Sequence, residues 1–121
     1  MGIKDILEGC YDAIASAMRQ FIEMVKGMVK TIVTAVVSFK NQVVNWFKTL
    51  PLIEGRHIPF ISQREDFRTL LNNAPRKKIG IFEGVYDEQT DEISNLQYIA
   101  ADQLDTQTKQ VLGNEPIVVL E

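Results

Sequence analysis

Between Ile3 and Leu50 the chain has no proline, and its apolar residues recur in alternating steps of four and three. One run is Ile3, Leu7, Cys10, Ile14, Ala17, Phe21, Met24 and Met28. A second, Val25, Val29, Ile32, Val36, Phe39, Val43, Trp46 and Leu50, repeats those steps out of phase with the first. Positions three and four apart share one face of a helix, so this spacing predicts a long amphipathic helix. The phase change falls near residues 24–29, and Gly27 is the expected kink. Pro51 is the stop, because the residue before a proline is pushed out of helical geometry.

A straight helix of that span would be ~70 Å long at about 1.5 Å per residue. A compact chain of this size has a radius of gyration of only about 14 Å. Residues 24–53 also contain no acidic residue, and their polar face, Lys26, Lys30, Thr34, Ser38, Asn41, Asn45 and Lys48, is one narrow stripe. The apolar remainder is too wide for one shallow groove. The pattern therefore predicts contact with other chains through Phe21, Met24, Val25, Met28, Val29, Ile32, Val36, Phe39, Val43, Trp46 and Phe47. A helical bundle or coiled coil made with further copies or other subunits is the first expectation. The alternative is a membrane-surface effector or pore-type protein that lays residues 24–50 on an anionic membrane. A simple transmembrane span is not expected, because the charge-free run Thr31–Phe39 falls well short of the ~20 residues required.

After Leu50 the periodicity ends. Pro51–Pro59 holds two prolines and a glycine, and residues 51–61 are assigned as a linker. Ser62-Gln-Arg-Glu65 fits a capping box for a short middle helix that turns Phe67, Leu70 and Leu71 inward and ends near Asn72–Asn73. Ile79–Tyr86 alternates like a strand, with Gly84 at an expected bulge, and Asp87–Asp91 supplies a turn into a second strand at Ile93–Ile99. Asp102 or Asp105 caps a helix running to Leu112, and Ile117–Leu120 suits a final strand. The predicted class is α+β: a long N-terminal helix over residues 1–50, the linker, and a small head over 62–121 made of the middle helix and a ββαβ unit.

Composition narrows the chemistry. At 121 residues, 45% hydrophobic and 24% charged, the chain has room for one domain and is not disordered in bulk. One cysteine and one histidine, Cys10 and His57, cannot make an internal disulfide or a Cys/His zinc site. Cys10 reads as a small hydrophobe on the apolar stripe, and His57 as a loop residue. The net charge of −3 divides into +5 through residue 78 and −8 beyond it, which predicts contact between the halves or two surfaces for different partners.

The basic cluster Arg64, Arg68, Arg76, Lys77 and Lys78 lacks aromatic interleaving, so nucleic acid is not the expected partner. The acidic cluster Asp87, Glu88, Asp91 and Glu92 lacks the order of a calcium loop. Glu83 and Asp102 would complete a cation site only if folding brought them to it. No nucleophile–base set and no glycine-rich phosphate loop is present. The expectation is a non-enzymatic structural or interaction protein without cofactor, catalytic or metal residues. It would be cytoplasmic, membrane-associated or part of a large assembly, and it would assemble through its N-terminal helix.

Overall fold

The segment expected to form one helix is three elements. In the computed structural model, which describes residues 8–25, 29–71, 74–75 and 77–120 (side chains from Tyr11 onward), helix α1 spans Glu8–Val25 and strand β1 spans Lys30–Val37. A second helical segment, α2, follows; Phe39–Val44 is π-helical and Asn45–Lys48 is α-helical. The long helix is thereby corrected. Thr31, Ile32, Val33, Thr34, Val36 and Val37 are β-branched, and such side chains lose freedom in a helix but pack well on a pleated surface. Gly27 and Met28 lie outside the described residues. Ser38 opens α2 with reciprocal caps: its hydroxyl accepts from Asn41 N–H at 3.1 Å, while its own N–H donates to Gln42 Oε1 at 2.7 Å.

The remaining elements are β2 (His57–Ser62), α3 (Glu65–Thr69), β3 (Ile79–Asp87), β4 (Glu92–Leu104), α4 (Thr106–Leu112) and β5 (Ile117–Val119). They form one mixed five-stranded sheet in the order β1-β4-β3-β2-β5. β1 runs parallel to β4, and every other neighbour is antiparallel. The protein is α+β, but the separate ββαβ head is corrected. Two strands from the supposed helix and linker complete its sheet.

The linker assignment of 51–61 fails at β2, which sits between β3 and β5. Pro59 is tolerated there because its carbonyl accepts Leu120 N–H at 2.8 Å on the β5 side. Its missing N–H points the same way, so no bond to β3 is lost. The capping box is also corrected: α3 is N-capped by Arg64 without a side-chain bond, and the Ser62 hydroxyl donates to Pro116 O at 2.9 Å. The helix ends at Thr69; Asn72 and Asn73 lie outside the described residues. The register shift falls between Val85 and Tyr86, where β4 inserts Ser94, rather than at Gly84.

Both faces of the sheet are covered. On one, Ile14, Ala17, Met18 and Ile22 of α1 and Phe67 of α3 pack on Phe60, Phe82, Leu96 and Tyr98. On the other, Phe39, Val43 and Phe47 of α2 and Leu112 of α4 pack on Ile61, Ile81, Val85 and Ile99. This explains why β3 is buried along nearly its whole length, where an antiparallel hairpin with one wet face would alternate.

Candidate functional site: the open edge of the sheet

Most residues predicted to meet other chains are used by this chain's own core. Phe39, Val43 and Phe47 are buried beneath α2, and Val29 is buried on the α1 face. Phe21, Val25, Ile32 and Trp46 are half-buried against the two cores. Only Met24, 76% exposed, and Val36, 43% exposed, stand out to solvent; Met28 lies outside the described residues. The apolar stripe lacks a partner only while residues 30–37 are taken as helix. As strand β1, with α1 and α2 on opposite faces of the sheet, the chain covers most of the stripe itself.

β1 is the last strand on one side of the sheet. Its inner edge pairs with β4 in unbroken register from Lys30↔Gln97 to Val37↔Leu104. Among the described residues no strand pairs its outer edge. Val33 is 56% exposed and Val36 43%, and Thr31 and Ala35 are also exposed. Lys30 is the only charged residue of the strand, and it stands at the very start. Natural sheets blunt such edges with charge, proline, bulges or shortness, because unpaired N–H and C=O groups invite another strand. The opposite edge follows that rule, since β5 has only three residues. The run of β-branched residues is the sequence signal that could have found β1.

Polar clusters elsewhere are internally satisfied or buried. Arg56 forks onto Asp87 through Nε at 3.1 and 3.0 Å and Nη2 at 2.9 Å, and this guanidinium holds the Asp87 carboxyl below its ordinary value. His57 Nδ1 accepts Ile53 N–H at 2.8 Å, which places the ring proton on Nε2, 3.7 Å from Asp87 Oδ2. Arg64 lies over the Phe67 ring at 4.5 Å and pairs with Asp66 at 2.7 Å, while Arg68 donates to the carbonyls of Pro75 and Lys77. Lys77 reaches Asp102 at 3.4 Å; Arg76 lies outside the described residues.

The acidic residues do not converge. Glu83 is buried in mid-sheet against Gln97, Asp87 is engaged by Arg56, and Glu88, Asp91 and Glu92 are exposed. Among the described residues there is no group of three His, Cys, Asp or Glu side chains placed to hold a metal ion, and no helix is long and apolar enough to cross a membrane. No family model, curated protein or solved structure matches the chain, so a functional reading rests on the chain's own geometry.

Proposed function

We propose that this is a non-enzymatic interaction protein that pairs with a second copy of itself through the outer edge of β1, extending the sheet antiparallel across a two-fold axis. The observation that carries the reading is the open edge: a full-length strand, charge-free after Lys30 and set in continuous register, that exposes Val33 and Val36. A second copy fits because the edge is self-complementary. A two-fold axis through Val33 sets Val33 against its counterpart and Ile32 against Thr34. It also lays the aliphatic stem of Lys30 along Val36, and no like charges meet. A strand from another protein would gain the same backbone bonds but not this symmetry.

Light scattering coupled to size-exclusion chromatography tests the reading. The wild-type chain is expected to run as a concentration-dependent dimer. The Val33→Lys/Val36→Lys double variant, which restores a common edge defence, should run as a monomer with an unchanged circular dichroism spectrum. A wild-type chain that stays monomeric at every accessible concentration overturns the proposal.

A further inference from the structure

Glu83 on β3 and Gln97 on β4 are directly opposite in the register, in the middle of the sheet and fully buried. Gln97 Nε2–H donates to Glu83 Oε1. The other oxygen of each group, Glu83 Oε2 and Gln97 Oε1, has no hydrogen-bond partner. If Glu83 were ionised, two buried acceptors would be left without a donor beside a buried negative charge, which is among the costliest arrangements in a protein interior. One proton resolves both: on Oε2 it makes the carboxyl a donor, and Gln97 Oε1 is the acceptor on the same partner.

We propose that Glu83 is held as a neutral carboxylic acid in a two-bond acid–amide pair with Gln97, and that this pair acts as a pH-sensitive latch across β3 and β4. Loss of the proton to solvent breaks one of the two bonds and leaves a carboxylate inside the sheet. Burial is the dominant influence and pushes the Glu83 carboxyl up to about 8, with the Gln97 hydrogen bond working against it. The surrounding elements bring no counter-charge to the pair. Lys30, next along the row beyond Gln97, is exposed, as are Lys40 and Lys48 of α2 and Lys109 of α4. Arg56 and His57 at the start of β2 are engaged with Asp87 at the far end of β3, and Asp105 accepts from the backbone of Phe39 and Thr108.

The direction of the pH effect follows. An unfolded glutamate ionises near the ordinary value of 4.5, so between there and about 8 the folded chain holds one more proton than the unfolded chain. The latch contributes fully below 4.5, weakens as pH rises through that window, and contributes nothing further above about 8.

Two measurements on the full chain test this. In a carbon-detected NMR titration, the Glu83 Cδ signal is expected to keep its protonated position through neutral pH and move only near pH 8. Titration in the usual carboxylate range overturns the proposal. In denaturant unfolding, Glu83→Gln keeps a neutral donor at the same place. The wild-type folding constant is expected to fall relative to that variant by up to roughly tenfold per pH unit across the window. Parallel stability profiles overturn the latch. Should Glu83→Gln fail to fold, the NMR titration decides alone.

Discussion

Gly80 and Tyr98 show how closely single residues are fitted in this sheet. Gly80 lies opposite Ala100 on β4, and a Cβ at that position would overlap the Tyr98 hydroxyl and ring. Tyr98 is fully buried, its hydroxyl has no hydrogen-bond partner, and its ring centroid is 4.8 Å from that of Phe82. Burial pushes the phenol above its ordinary value, with nearby Arg68 acting against it. Gly84 serves the same purpose two repeats of the pleat away, where a Cβ would come within 2.7 Å of Phe60 Cζ. Gly80→Ala is expected to destabilise the protein by about 2–3 kcal/mol, the scale of overpacking in a close-packed core. Tyr98→Phe removes an orphaned hydroxyl and should be near neutral. The double variant should lose less than the sum of the two, because the substitutions share one volume. Denaturant unfolding of the four proteins checks this, and strict additivity would refute the shared-volume account.

At the scale of elements, Asp105 ties together β1, α2 and α4. Its carboxylate accepts from Phe39 N–H at 2.9 Å and Thr108 N–H at 2.8 Å, and its own N–H donates to Val37 O at 3.0 Å. Burial works to raise its pKa, but the bonds from Thr108 and Phe39 prevail and hold it below the ordinary value. Asp105→Ala removes a helix cap and strands the Phe39 N–H, so a loss of about 2–3 kcal/mol is expected, with Asn recovering part of it. Because the native value is lowered, this contribution is present at neutral pH and disappears as pH falls through it. Stability of wild type and variant should therefore converge in acid.

The legible elements lie in the C-terminal half of the chain. β3, the Asp87–Asp91 turn, β4 and α4 are each announced by short-range pattern, turn residues or a cap. β1 was hidden because Val29, Ile32 and Val36 fall at helical intervals while the strand between them is β-branched almost throughout. Tertiary pairing with β4, far along the chain, decides that conflict, and no local window contains it. β2 was hidden by Pro59, whose harmlessness depends on which neighbour its missing N–H faces. The open edge of β1 was illegible for the same reason, since an edge exists only once strand order is known. Of the apolar residues at helical spacing that were expected to meet other chains, Val36 and Met24 are the exposed ones among the described residues.

For the whole molecule, the sheet joins regions that the sequence divides. β1 flanks β4, and β2 lies between β3 and β5, so residues 62–121 have no complete sheet of their own. A fragment of those residues is expected to give a largely unfolded circular dichroism spectrum, with structure returning when residues 1–61 are restored. A folded fragment would contradict the architecture. The charge division is likewise bridged: Arg56 meets Asp87 and Lys77 meets Asp102 across the +5 and −8 regions.

The two edges of the sheet differ in length, and that difference has a consequence for how large an assembly can grow. A strand that adds to β1 finds eight residues, whereas β5 offers three. A pair joined edge to edge presents only its two short β5 ends to further copies. Pairing as proposed would give each molecule a valence of one: the contact would close on itself at two members, and the cross-β growth that an adhesive edge ordinarily invites would have no comparable second site from which to propagate.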